Sequence, residues 1–214
     1  YVTGYTKGAD NAVNTATVVF NGVKISYKTV LDFGEAKVNS KHFKNPTAIT
    51  VDRNGNFLIT DKVVLRFSPA GKFISSFGQT EGDIIGHFDG LTNITTDRSN
   101  KIFISDQKIT PPRLMAFSQE GKHLYSFGVK GAGPGMSFVT RGIAFDSKNK
   151  MYLGDVDLNR VTVFDNSGKY QFHFGKAGAG TGHFNGYYDL ALDMNNDVFV
   201  ANYFGPCQKY DAAG

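Results

Sequence analysis

Cysteine and tryptophan are the residues that this sequence most nearly lacks. Cys207 is the only cysteine among 214 residues and tryptophan is absent; a single cysteine excludes an internal disulfide framework and a thiolate metal cluster. Proline is sparse, with six residues, and no apolar run approaches the ~18 residues that a membrane-spanning helix requires. The net charge is only +4, and basic residues are interleaved with acidic ones. This even pattern disfavours a nucleic-acid binder, whose basic residues usually cluster.

The first residues do not have the pattern of a targeting segment. The chain begins at Tyr1 without a methionine, and no charged head is followed by an apolar stretch. We expect either that a targeting segment has been removed or that the sequence is part of a longer one.

What the sequence does contain is an internal repeat. Residues 149–175 read NKMYLGDVDLNRVTVFDNSGKYQFHFG, and similar segments occupy 54–78 and 100–128. The closing Phe-Gly pairs, counted from Phe33, advance in steps of 44, 50 and 47 residues. A second marker, His-Phe or Ser-Phe, precedes each unit and advances in steps of 45, 50 and 46. Two independent markers with one period establish the repeat.

Each unit predicts four short antiparallel strands, named a to d. In one unit the run AITVD leads into the turn RNGN, whose Asn-Gly pair is a strong hairpin signal. The runs FLIT, VLRF and KFISSF follow as strands b, c and d, and helical spacing of apolar residues is absent. Four-stranded units of about 47 residues predict an all-β fold, a β-propeller in which each blade buries its faces against its neighbours.

These motifs resemble a known family. The pattern HFxxPxxIxVDxxGNxxITD…RFxxxGKFxxxFG closely resembles the NHL repeat, as does SFVTRGIAFDSKNKMYLGDVDLNRVTVFDNSGKYQFHFG. The resemblance covers residues 38–214, and it implies a propeller that usually has six blades. The Asn-Arg-Val element of the family is intact only at 159–161.

The ends of the sequence fall within blades. We predict three complete blades at 37–81, 82–132 and 133–180, a partial blade at 1–36 (strand b at 1–4, strand c at 17–20 and strand d at 24–34) and another at 181–214 (strands a, b and c). Six blades would need ~282 residues, so we expect the chain to be part of a larger propeller or to be completed by other chains. A five-bladed ring with two imperfect blades is the alternative.

Several repeated columns are interpreted as architecture. One column of acidic residues should cap the a–b turns, and another, directly after strand b, should accept backbone N–H groups. The repeated phenylalanines should pack between blades. A histidine column, His42, His87 and His183, has the side chains that a divalent metal accepts, but we interpret it as outward-facing and predict no metal site and no cofactor.

Function is expected where the repeats disagree, because positions that match are explained by the fold. The d–a and b–c loops should open on one face of the propeller and surround the mouth of its central channel. We predict binding residues just before or at the start of strand a: Thr47, Thr92, Asn93, Arg141, Tyr188 and Asp189. The b–c loops add Lys62, Lys108, Asp157, Asn159, Arg160 and Tyr203; for Arg160 a salt bridge to an adjacent blade is the rival explanation.

The resemblance implies a non-catalytic binding or scaffold module that recognises a protein, peptide or glycan, in an exported or surface assembly outside the cytoplasm. Two alternatives stay open. Some NHL-like propellers are metal-dependent lyases of peptidyl-hydroxyglycine, which would place Arg141, Tyr188 and an interior histidine in the channel. Others bind single-stranded RNA on a basic loop face, which the modest charge does not require. No catalytic motif or phosphate-binding loop stands out.

Overall fold

The computed structural model describes residues 15–20, 23–28, 43, 45–78, 88, 90–107, 113–127, 131–136 and 140–211. These residues form 17 β-strands joined by turns and loops, and none of them is helical. All paired strands are antiparallel.

The strands form a hairpin and four sheets. The hairpin contains β1 (Thr15–Phe20) and β2 (Val23–Lys28). The first sheet contains β3 (Ala48–Val51), β4 (Phe57–Thr60), β5 (Val64–Phe67) and β6 (Phe73–Phe77). The second contains β7 (Leu91–Thr96), β8 (Ile102–Asp106), β9 (Arg113–Phe117) and β10 (His123–Phe127). The third contains β11 (Thr140–Phe145), β12 (Met151–Asp155), β13 (Arg160–Phe164) and β14 (Tyr170–Phe174). The fourth contains β15 (Tyr187–Leu192), β16 (Val198–Asn202) and β17 (Gln208–Tyr210).

The four sheets stand side by side around a common axis. Their first strands, β3, β7, β11 and β15, contact one another in that order, and within each sheet the strands follow chain order outward from this strand. This is the arrangement of propeller blades. The predicted all-β propeller is therefore confirmed, with three four-stranded blades followed by a three-stranded one.

The first predicted blade is described only as the hairpin. β1 contains the predicted strand c at 17–20, and β2 covers the start of strand d, which was expected to continue to residue 34. The predicted strand b at 1–4 lies outside the described residues. The blade boundaries and a total of six blades stay predictions.

The core lies between blades rather than within them. Leu58 of the first blade clusters with Ile94 of the second, because a single layer of strands has no interior and must cover its faces with its neighbours. The same pair of positions recurs at the next two junctions, as Phe103 with Ile143 and Tyr152 with Leu190.

The two sequence markers of the repeat meet at these junctions. Gly78 and Gly175, which close the Phe-Gly pairs, have positive φ values of 96° and 85°. A Cβ atom at either glycine would overlap the ring of the next blade's marker phenylalanine, Phe88 or Phe184. Phe184 in turn packs edge-on against Tyr210, at 5.9 Å between ring centroids. Both markers therefore report one contact, a ring stacked on a glycine backbone. As predicted for the aromatic columns, Phe77 packs against Phe117 of the next blade (5.3 Å) and Phe174 against Tyr210 of the next (4.9 Å).

The a–b turns carry a second junction device, the interblade latch. In each turn an aspartate, such as Asp146, accepts backbone N–H bonds from the residues two and four positions later (2.8 Å each), as predicted for a capping column. An asparagine in each following turn then bonds the preceding blade. Asn100 Oδ1 accepts from the N–H of Arg53 (2.9 Å), Asn149 from Arg98 (2.9 Å) and Asn196 from Ser147 (2.7 Å).

The ring-on-glycine contact predicts that Gly175→Ala destabilises the fold by about 2 kcal/mol more than Gly168→Ala. Both glycines have a φ near +85° and share the backbone cost of a side chain there, about 1 kcal/mol. Only Gly175 adds a clash, since no atom lies within 4 Å of a Cβ built at Gly168. Urea denaturation followed by circular dichroism measures the difference, and equal losses would contradict the contact.

The interblade latch predicts that Asn149→Gly lowers the free energy of unfolding by about 1 kcal/mol, the net value of one hydrogen bond. Glycine keeps the left-handed backbone (φ 61°) and removes only the acceptor. Lys148→Gly, at an exposed position in the same turn, controls for added chain flexibility. A loss no greater than that of the control would show that the latch adds no stability.

Candidate functional site

The d–a and b–c loops lie at one edge of the arc of blades. Main-chain bonds join them: Gln107 donates its N–H to the carbonyl of Gly90 (3.1 Å), and Tyr203 donates to Gly186 (2.8 Å). The aspartate at the end of strand b reinforces the junction, since Asp106 Oδ1 accepts the N–H of Gly90 (2.9 Å). The a–b and c–d turns lie at the opposite edge, because consecutive strands are antiparallel.

The innermost strands enclose a cavity of about 620 Å³. Its walls come from β3, β7, β11 and β15, so it lies along the axis of the arc. Its polar lining consists largely of residues predicted to ring the channel mouth, which the fold brings together from four blades: Thr47, Thr92, Asn93, Arg141 and Asp189. Tyr188 lies within β15, and its side chain is outside the described part of the structure.

The two sides of this cavity differ in chemistry. On the side of the first and second blades, the hydroxyls of Thr47 and Thr92 bond the hydroxyls of the neighbouring strand, at 2.9 Å to Thr60 and 2.8 Å to Ser105. On the other side, the exposed Arg141 and Asp189 come from the neighbouring strands β11 and β15. One half of the mouth is therefore neutral and the other carries both signs of charge.

Three of the four inner strands are bulged at this level. The pairing register shifts at Thr92 in β7, at Gly142 in β11 and at Tyr188 in β15, whereas β3 pairs regularly. A bulge adds one residue to a strand and re-aims its side chains. The sequence analysis missed the bulges, although a glycine at φ +69° in β11 is a residue type that often marks one.

The predicted b–c loop residues that the structure describes do not line the cavity. Lys62 and Asp157 are exposed. Asn159 has a left-handed backbone (φ 49°), which gives it a role in shaping its turn. Tyr203 is exposed and packs edge-on against Phe204, with 4.6 Å between ring centroids. Lys108 lies outside the described residues.

Arg160 requires a correction, because its side chain is buried and bonded to main chain. Nη1 donates to the carbonyl of Ala132 (3.1 Å), and Nη2 donates to the carbonyls of Gly133 (3.0 Å) and Met136 (2.7 Å). The guanidinium thus fastens the glycine-rich d–a loop of its own blade, a contact we call the loop clasp. These bonds are neither a ligand contact nor a salt bridge, the two roles predicted for Arg160. The carbonyl groups of a loop outside the sheet lack ladder partners and need hydrogen-bond donors, and one guanidinium group supplies several.

Gln208 forms the same clasp in the last blade. Its Nε2 donates to the carbonyls of His183 (2.7 Å) and Gly180 (3.2 Å), and its Oε1 accepts the N–H of Gly182 (2.9 Å). Gln208 is the first residue of β17, as Arg160 is of β13, but the two positions are not equivalent in the repeat, since Gln208 pairs with Val200 where Thr162 pairs with Leu153. The sequence analysis did not single out Gln208.

The predicted histidine column is described at one position. His183 lies in a d–a loop, where its Nδ1 is 3.1 Å from the carbonyl of Thr181, while His42 and His87 lie outside the described residues. Within the described ranges, no three histidine, cysteine, aspartate or glutamate side chains come together as a group that could hold a metal ion.

A membrane-spanning helix is not found in the part of the chain that the structure describes.

Comparison with known proteins identifies the fold and not a family. No family model and no curated protein matches the sequence, so the NHL resemblance stays a prediction. Among solved structures, a protein of unknown function from Bacteroides thetaiotaomicron superimposes with a TM-score of 0.64 at 15% identity, over 97% of this chain and 56% of its own. A catalytically inactive virginiamycin B lyase from Staphylococcus aureus with quinupristin gives 0.56 at 13%, over 92% and 63%. The WD40 propeller domain of Doa1 gives 0.59 at 11%, over 95% and 62%. The chain thus spans between about half and two thirds of the length of these proteins.

The loop clasp predicts that Arg160→Met frees the loop at 131–136. The amide of Met136, which donates to the carbonyl of Gly133 (3.1 Å), should exchange with solvent at least about ten times faster, because three carbonyls lose charge-assisted bonds. Hydrogen–deuterium exchange measures this locally. Lys169→Met, which removes an exposed cation from the same blade, is the control, and an unchanged exchange rate at Met136 would refute the clasp.

Proposed function

We propose that this chain is a non-catalytic binding module that recognises a protein, peptide or glycan through the loop edge of its blades. One observation carries the proposal: the positions at which the repeats differ most in chemistry converge on one axial cavity. A fold that repeats its structural residues and varies the residues around one mouth has the organisation of a recognition surface.

The cavity suits a polar ligand. At about 620 Å³ it lies in the range of small-molecule and side-chain pockets. Its neutral half offers hydroxyls and the amide of Asn93, and its charged half offers a cation and an anion on neighbouring strands. Apolar walls from Leu91, Ile94 and Ile143 lower the local dielectric and strengthen each polar contact. Peptides and carbohydrates both carry hydrogen-bond donors and acceptors, and the polar side chains that line the cavity can bond to groups of both kinds.

The similarity to virginiamycin B lyase does not extend to activity, because at 13% identity it concerns the fold alone. The peptidyl-hydroxyglycine lyase hypothesis therefore rests on the sequence resemblance, as before. The same resemblance is the basis for proposing an exported or surface location.

The proposal predicts that Arg141→Met and Asp189→Asn each weaken ligand binding about tenfold or more, since a hydrogen bond to a charged group contributes about 1.5–3 kcal/mol. Peptide and glycan arrays probed with the wild-type chain and both variants measure this. Lys148→Met, which removes an exposed cation from the opposite edge, should bind as the wild type does.

Two results would contradict the proposal. Array ligands that bind both variants as well as the wild type would move recognition away from the cavity. Binding of single-stranded RNA that weakens steeply with salt would instead favour the nucleic-acid alternative.

A further inference from the structure

The turn edge of the first three blades carries exposed charges that are almost all positive. We call it the basic turn patch, and it consists of the a–b turns at 52–56, 97–101 and 146–150 and the c–d turns at 68–72, 118–122 and 165–169. In these described turns the acidic side chain that is exposed is that of Glu120. The exposed basic side chains are those of Arg53, Lys72, Arg98, Lys122, Lys148 and Lys169. The last four of them lie in the second and third blades, which have a described blade on each side.

The aspartates of the same turns do not balance these cations at the surface, because their carboxylates cap backbone N–H groups. Asp97 and Asp146 are 3% and 5% exposed, and each accepts hydrogen bonds from the residues two and four positions later. Asp165 caps a c–d turn in the same way. The turn chemistry therefore draws negative charge toward the main chain and leaves lysine and arginine side chains outside.

The positive bias is confined to this patch. In the fourth blade Lys209 pairs with Asp197 (2.7 Å), and Asp211 is exposed. The loop edge carries both signs of charge, and the exposed charged residues of its described loops are Lys62, Arg141, Asp157, Lys176 and Asp189. Basic and acidic residues that are interleaved along the sequence are thus separated in space.

The backbone that carries the patch is fixed before any partner binds. The interblade latch joins the a–b turn of each blade to that of the next. Arg66 of β5 donates through Nη2 to the carbonyl of Gln119 in the c–d turn of the following blade. Corresponding turns of blades that stand side by side lie at one level, so the cations form a continuous, preorganised row. Such a row suits an extended anionic surface rather than an enclosed ligand.

The fourth blade adds an apolar side chain to the same edge. Met194 follows the capping aspartate of its a–b turn and is 98% exposed. Its equivalents Arg53, Arg98 and Ser147 are also exposed, although a described blade follows each of them. Exposure is therefore a property of this turn position, and a methionine there is an apolar group presented to solvent beside a row of cations.

We propose that the basic turn patch docks this chain on the surface of an anionic lipid bilayer, with Met194 at the headgroup region and the axial mouth facing away. Each basic residue close to such a surface strengthens binding about fivefold, and an apolar side chain that enters the headgroup region adds to it. Nucleic acid fits these observations less well. The turns of the patch contain no aromatic residue on which bases stack, and a phosphate backbone offers no partner to Met194.

Sedimentation with lipid vesicles tests the docking. The wild-type chain should bind phosphatidylcholine vesicles that contain about one third phosphatidylglycerol, should dissociate as the salt concentration rises, and should not bind phosphatidylcholine alone. Lys122→Glu and Lys169→Glu should each weaken binding at least about fivefold. Lys176→Glu makes the same change of charge at an exposed position of the loop edge and should bind as the wild type does. Unchanged circular dichroism spectra show that the variants are folded.

The orientation is tested with an environment-sensitive dye on a single cysteine. Cys207, the one cysteine of the sequence, is exposed in a b–c loop, so a dye on it reports on the loop edge. A dye at position 194 of a Met194→Cys, Cys207→Ser chain reports on the turn edge. When vesicles bind, the dye at position 194 should emit at shorter wavelengths and become protected from iodide, and the dye on Cys207 should change in neither respect.

Met194→Ser separates lipid from other anionic partners. It should weaken vesicle binding several-fold and leave the salt dependence unchanged, because it removes apolar surface and no charge. The proposal is overturned by a wild-type chain that does not bind anionic vesicles at low salt, by a Lys176→Glu chain that loses as much affinity as Lys122→Glu, or by a dye at position 194 that stays in water. Binding of duplex DNA or polyglutamate that requires Lys122 and Lys169, without vesicle binding, would assign the patch to another partner.

Discussion

A four-stranded blade is a single layer, and neither of its faces can be buried without a neighbour. This constraint shapes the whole molecule. Three hydrophobic clusters draw their members from adjacent blades, as Leu58 and Ile94 do, and a blade removed from its neighbours would expose two apolar faces. Stability in such a repeat is a sum over junctions rather than the property of a central core. The residues that repeat in sequence, the ring-bearing phenylalanines and the Phe-Gly pairs, are therefore those that form junctions.

Two sets of polar contacts lie at opposite edges of the arc, one at the a–b turns and one at the d–a loops. At the turn edge the interblade latch joins consecutive blades through an asparagine side chain, and its residue type hardly varies. At the loop edge the loop clasp holds the d–a loops of the third and fourth blades through their main chain, with Arg160 in one blade and Gln208 in the next. Because the clasp bonds carbonyls, it places no demand on the loop's side chains. The residues beyond each clasped loop, among them Arg141 and Asp189, are thus free to differ between blades while the mouth keeps its shape.

The sequence predicts those features that depend on the types of nearby residues and on the repeat period of about 47 residues. The strands, the capping aspartates and the aromatic columns follow from residue types at fixed spacing, and so do the blade positions that line the axis, including Thr47, Asn93 and Asp189. Three features depend on the environment of a residue and not on its type. The bulges at Thr92, Gly142 and Tyr188 change register without a unique residue signal, and Arg160 is bonded to backbone that a sequence pattern does not locate. Ile49 and Ile94 occupy the same position of the repeat and are the same residue type, yet Ile49 is 59% exposed and Ile94 is 3% exposed.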